Sequence, residues 1–132
     1  MVSQIFVNLP VKDLQRSVAF FTALGFTFNP RFTDDNATCM IVGENMFVML
    51  LVERYFATFT KKPVADAKQK TEVLVALALE NREAVDAMLD KALAAGGSEA
   101  LPAQDHGFMY QRSFADPDGH QWEPFHMSGE PG

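Results

Sequence analysis

"KDLQRSVAFFTALG", residues 12–25, and "NREAVDAMLDKALAAGG", residues 81–97, decide the fold, because each reads as an amphipathic helix and each follows a short apolar strand. In the first, Leu14, Val18, Phe21 and Leu24 recur at helical spacing, Asp13 is placed to cap the start and Gly25 to stop the end. In the second, Val85, Met88, Leu89, Ala92 and Leu93 form the stripe, with Asn81 as cap and Gly96 as stop. The segments before them, "SQIFVNL" (3–9) and "TEVLVALALE" (71–80), have strand composition. Phe6 and Leu74 are 68 residues apart, and so are Asp13 and Asn81. The chain repeats itself in register.

Working outward, each helix precedes three strand candidates: "FTFNPRFTD", "ATCMIVG" and "NMFVMLLVE" after the first, "SEALPAQ", "FMYQRSFAD" and "HQWEPFHM" after the second. "ERYFATF" (53–59) reads as a short helical cover carrying Tyr55, Phe56 and Phe59. The expected architecture is α+β: one domain of two βαβββ modules related by a pseudo-two-fold axis, with curved mixed sheets enclosing a cleft. Module one covers about 1–59, a linker 60–70 and module two 71–127, all within a single domain 1–132.

Composition narrows the partners. A net charge of −6, from 17 acidic against 11 basic side chains, repels a polyanion, so nucleic acid is not an expected partner. The longest apolar run, "MFVMLLV", is too short to span a bilayer, and the N-terminus meets Pro10 and charge before any signal-like stretch develops. Cys39 is the only cysteine and reads as a buried strand thiol, which fits a reducing compartment; the expected location is cytoplasmic. The linker "FATFTKKPVADAKQKT" carries Lys61, Lys62, Lys68 and Lys70, either as a solvated connection or as a basic lip for an anionic substrate.

The last hairpin, "FADPDGHQWEPFHM" (114–127), gathers a carboxylate and two histidines near a turn. Asp118-Gly119 is a hairpin-turn signal, and Pro117 presets the preceding φ, so the final strand begins near His120. With a period of two, Gln121, Glu123 and Phe125 share one face while His120, Trp122, Pro124 and His126 share the other. His120 and His126 stand roughly 20 Å apart along a strand, too far to share an ion. A structural or solvent-exposed role is expected for them and for His106.

"LPVKDLQRSVAFFTALGF", the "DPDGHQWE" hairpin and the two βαβββ modules between them resemble the vicinal oxygen chelate superfamily, which includes glyoxalase I, bleomycin-resistance proteins and extradiol dioxygenases. The resemblance covers nearly the whole chain. It implies a small-molecule ligand, a homodimer and, in the metal-dependent members, a divalent ion held by first- and last-strand residues of each module. If such an enzyme, the chain would be a lyase like lactoylglutathione lyase or a dioxygenase. Carried onto this sequence, the four ligand positions fall at Phe6, near Met49 or Leu50, at Leu74 and at Glu123. Only Glu123 is a donor.

A divalent Lewis acid needs about three or more N, O or S donors in fixed geometry, and Phe and Leu supply none. The expected site therefore has no metal ligands and no established cofactor. It has an apolar floor of Phe6, Leu50 and Leu74, with Glu123 as its one charge and candidate catalytic base. Core packing is the competing reading of the three apolar residues, and a salt bridge to Arg112 that of Glu123. Phe108, Tyr110, Arg112 and Phe114 share one face of their strand; Tyr110 and Arg112 there are candidates to fix a substrate oxygen or carboxylate. The sequence leaves open which face of that strand meets the cleft. The functional expectation is a small-molecule binder with a degenerate metal site, sequestering or transforming a metabolite. The alternative is a divalent-metal-dependent lyase or dioxygenase with a shifted ligand set.

Overall fold

The computed structural model describes residues 1–128. The chain is α+β and divides into two compact units, Met1–Ala65 and Asp66 onward. The first runs β1 (Ile5–Val11), α1 (Leu14–Ala23), β2 (Thr27–Asn29), β3 (Ala37–Gly43), β4 (Met46–Val52) and a short α2 (Glu53–Phe56) continued by a 3₁₀ turn. The second runs β5 (Leu74–Ala78), α3 (Arg82–Ala94), β6 (Ser98–Asp105), β7 (Met109–Ala115) and β8 (Gln121–Met127). Each unit is one open four-stranded mixed sheet, ordered β1-β4-β3-β2 and β5-β8-β7-β6, with a parallel pair between its first and last strands. The βαβββ repeat is real at the level of topology.

It is equally real at the helix ends. Asp13 accepts the Arg16 amide at 3.1 Å and Asn81 the Ala84 amide at 2.7 Å, each satisfying a donor that the first turn leaves unpaired. At the other ends, Phe26 donates to the Phe21 carbonyl and Gly97 to the Ala92 carbonyl, the long return bond of a glycine-stopped helix. Two details differ from expectation. The buried stripe of α1 is Ser17, Phe20 and Phe21, continued by Leu24, so it lies about one residue off the stripe drawn through Val18. Leu93 is exposed, because Val85, Leu89 and Ala92 already fill the face of α3 that meets the sheet.

"FTFNPRFTD" is also not one strand. Pro30 opens a 3₁₀ turn over Pro30–Phe32, capped by the Asn29 side chain on the Arg31 amide at 3.0 Å, and leaves β2 three residues long. Pro10 by contrast lies inside β1, where an edge strand tolerates a missing N–H.

In the first unit Leu9, Val11, Met40, Val48 and Leu50 are buried on one side of the sheet, below the Phe20 and Phe21 rings of α1. In the second, Leu77, Phe114, Trp122 and Pro124 are buried on the side covered by α3, with the Phe114 and Trp122 rings stacked 6.4 Å apart. The side of each sheet turned away from α1 or α3 is its open face, although Ala37, Cys39 and Leu51 on that side of the first sheet are buried.

Candidate functional site

Strand registry assigns every candidate residue to a face. Phe6 pairs with Phe47 and the two rings stack at 4.8 Å on the open face of the first sheet, where Asn8 and Met49 are the next pair. Leu50 is the partner of Leu9 and is fully buried on the α1 side. Leu50 is therefore a core residue, and Met49 takes its place on the face that carries Phe6; the alternation of a single residue decides between them. Cys39 is buried in β3, and burial pushes its thiol above the ordinary range, the state of an inert packing residue rather than a nucleophile.

In the second unit Leu74 pairs with Gln121 and Ala76 with Glu123, so these four share the open face with Phe125. Leu74 is 50% exposed and Ala76 is exposed, while Gln121 and Glu123 are half-buried. The Gln121 carboxamide donates to a Glu123 oxygen at 3.3 Å, a long bond. β7 and β8 are in register at Met109–Gln111 and again at Phe114–Ala115, skipping the stretch opposite Glu123 and Pro124. Pro124 has no N–H to give to a ladder, and it sits on an interior strand, where proline is unusual.

Tyr110 and Arg112 belong to the other side. Registry places Tyr110 opposite His126 and Phe114 opposite Trp122, so Tyr110, Arg112 and Phe114 all face α3. The Tyr110 hydroxyl donates to Asp86 at 2.6 Å, and Arg112 donates to Asp86 at 2.8 Å and to Glu99 at 2.9 Å. Beside them Arg82 holds Asp105 with two 2.8 Å bonds and lies 4.9 Å from the Tyr110 ring centroid. The hydrogen bond from Tyr110, then that from Arg112, holds the Asp86 carboxyl below the usual range, and Arg82 does the same for Asp105. Pairing with Glu99 first, and with Asp86, raises the Arg112 guanidinium further. The readings of Tyr110 and Arg112 as partners of a substrate beside Glu123, and of Arg112 as the salt-bridge partner of Glu123, are corrected accordingly. The sheet itself separates them.

Between the two faces lies a residue that the sequence reading missed. Asp116 is 5% exposed, and its carboxylate accepts the backbone amides of Asp118 and His120 at 3.0 Å each and the Trp122 indole N–H at 3.0 Å. Burial raises its pKa, which the neighbouring His120 and the Trp122 bond partly offset. These bonds fix where β8 starts and turn Trp122 into the α3 side, leaving Glu123 to the open one. Gly119 completes the turn at φ +93°, and a Cβ there would lie 2.8 Å from the Lys68 backbone nitrogen. The signal was present as an Asp two residues before an amide-rich turn, an Asx pattern. Its histidines serve structure: His126 Nδ1 lies 2.9 Å from the Leu79 carbonyl and His120 is 7% exposed.

Among the described residues, no group of three or more His, Cys, Asp or Glu side chains is arranged to hold a metal ion. The four positions where the resemblance implies ligands hold Phe6, Met49, Leu74 and Glu123, a donor set that does not fit a divalent ion.

Residues 4–43 match the family model described as bleomycin resistance protein-like N-terminal. No curated protein matches the chain. Among solved structures, a hypothetical protein from S. aureus is 26% identical, with 95% of this chain and 94% of that one covered at a TM-score of 0.81. A glyoxalase-related enzyme from Fulvimarina pelagi is 20% identical, covering 95% and 88% at 0.79. The fosfomycin resistance protein FosX from Mesorhizobium loti is 13% identical, covering 99% and 96% at 0.70. With its two βαβββ modules and the family match over residues 4–43, the chain has the fold of the vicinal oxygen chelate superfamily, and the resemblance drawn from its sequence holds.

Proposed function

We propose that this protein binds a small, partly apolar molecule on the open faces of its sheets, sequestering it or transforming it with Glu123 as base, and that it does so without a tightly held metal. The observation that carries this reading is the placement of Glu123. It is half-buried on a face otherwise made of uncharged side chains, with Leu74 and Ala76 exposed beside it. An apolar surface with one convergent charge is the usual make-up of a ligand site. The apolar residues at the metal-ligand positions support the metal-free form of the reading. The names of the neighbours, a glyoxalase-related enzyme and a fosfomycin resistance protein, fit a small-molecule ligand.

The test is a thermal-shift screen of a metabolite library against the wild type and Glu123→Gln. Ligands that raise the wild-type Tm and lose that effect in the variant support the reading, and a library with no saturable binder sinks it. We further propose a cytoplasmic homodimer. The exposed Ile5, Phe6 and Met46 at the start of the β1–β4 pair supply apolar surface for self-association, and the single buried thiol fits a reducing compartment. No helix of the described residues is long and apolar enough to cross a membrane. Sedimentation that finds a monomer at micromolar concentration contradicts the dimer.

A further inference from the structure

We infer that the ligand of the second module is a cation: a small molecule whose protonated nitrogen, as an ammonium, amidinium or guanidinium, sits on the Glu123 carboxylate while its hydrocarbon part lies over Leu74, Ala76 and Phe125. The inference rests on the reading of this open face as a ligand surface and goes beyond it by fixing the ligand's charge.

Charge on the second sheet is sorted by face. The charged residues of its strands are Glu99, Asp105, Arg112 and Glu123. The first three lie on the α3 side, each with a charged partner within 2.9 Å. Glu123 alone lies on the open side. Among the described residues it makes no ion pair, and its one hydrogen bond is the 3.3 Å contact with neutral Gln121. A carboxylate has about four lone-pair sites, so most of its accepting capacity is unused. A group that is half removed from water and not compensated by the protein is a cost unless something else supplies the donors.

The chemistry of what can supply them is bounded on two sides. A divalent metal needs several strong donors, and the side chains beside Glu123 are Ala76 across the strand pair, Gln121 and, opposite Phe125 on β7, Gln111, all of them neutral. An anion meets the only charge on the face with the wrong sign, on a chain of net charge −6. A protonated nitrogen needs one carboxylate and a few neutral acceptors, which is what the carboxylate and the half-buried Gln111 and Gln121 carboxamides offer, and charge-assisted N–H···O bonds are the strong ones.

Three probes of nearly one shape test this: phenethylamine as cation, 2-phenylethanol as neutral isostere and 3-phenylpropionate as anion. Each is titrated into the full chain while backbone amide resonances are followed by NMR. Phenethylamine is expected to shift Ala76, Gln121 and Glu123, to bind about tenfold or more tighter than the alcohol and to weaken as salt is added. The anion is expected not to bind this face. Glu123→Gln is expected to abolish the preference for the amine, and Glu99→Gln, on the α3 side, to leave it intact. Equal affinity for amine and alcohol, or an amine affinity unchanged in Glu123→Gln, overturns the cation inference while the small-molecule reading stands, because a neutral ligand still occupies the face. An amine that shifts none of these residues also overturns it, and the library screen then decides the broader reading on its own.

Discussion

On the α3 side of the second sheet, Arg112, Tyr110, Asp86 and Glu99 are joined by contacts of 2.6 to 2.9 Å, whereas on the open side Glu123 has a single amide at 3.3 Å. Both sides carry carboxylates on strands of the same sheet, Glu99 and Asp105 on β6 and Glu123 on β8. On the α3 side every charge is answered by the protein, so the cluster pins α3 to β6 and β7 and has little left to give a ligand. On the open side the Glu123 carboxylate has no ion pair among the described residues, only the long contact with Gln121. Chemical potential for binding lies where the fold has declined to satisfy a group, and the density of polar residues is a poor guide to it.

The comparison breaks first at the turn that sorts the residues. Asp116→Ala removes the acceptor of two backbone amides and the Trp122 indole, all buried, at about 1–3 kcal/mol for each unsatisfied donor. It should produce the largest loss of stability of any variant discussed here, read by urea denaturation. Faster hydrogen exchange along β8 should accompany it, and an unchanged midpoint would show that the turn does not set the register.

Next comes the contrast between faces. Arg112→Met leaves Asp86 and Glu99 without their shared cation beneath α3 and should cost about 1–3 kcal/mol, moderated because both carboxylates are partly exposed. Glu123→Gln should stay within about 0.5 kcal/mol of wild type, since it removes no ion pair. Equal costs for the two would erase the distinction between the faces. The Arg112 fork is itself incompletely used, because its buried Nε has no partner, so Arg112→Lys should recover part of the loss.

A smaller effect separates two kinds of carboxylate by pH. The folded-state pKa of Asp86 is depressed, so its contribution is complete above the ordinary carboxylate value of about 4 and is lost as pH falls toward the folded value. The Tm gap between wild type and Asp86→Asn should therefore be widest near neutrality and close on acidification. Asp116 has the opposite sign, since its folded pKa is raised by burial and its stabilising contribution is lost as pH rises through that value. The gap between wild type and Asp116→Asn should accordingly shift in favour of wild type as the pH is lowered. Gaps that move together would show that the two groups are not in different environments.

Much of the fold was legible because it rests on local rules. Asp13, Asn81, Gly25 and Gly96 act within one helical turn of where they stand, so caps and stops can be read without the tertiary structure. The 68-residue repeat then gave the second module from the first. Face assignment was legible only where a turn anchored the count. The Asp118-Gly119 turn put Glu123 and Trp122 on opposite sides, but the Asp105–Gly107 turn before β7 fixes only where that strand starts, and which of its faces joins Glu123 depends on pairing with β8. Tyr110 and Arg112 were therefore grouped with a carboxylate that the sheet holds on its other side. Leu50 failed by one residue in an all-apolar strand, "MFVMLLV", where hydrophobic alternation carries no signal. Asp116 was hidden because its partners are backbone amides and an indole, which no spacing between charged residues reveals.

If Glu123 on the open face serves an organic ligand and not a metal, the protein holds no ion there. Metal analysis of the full chain, purified without chelator and then dialysed against each common divalent ion, tests it most directly. Substoichiometric metal is expected in every case, with no difference between wild type and Glu123→Gln. One tightly held divalent ion per chain, lost in Glu123→Gln, would contradict it.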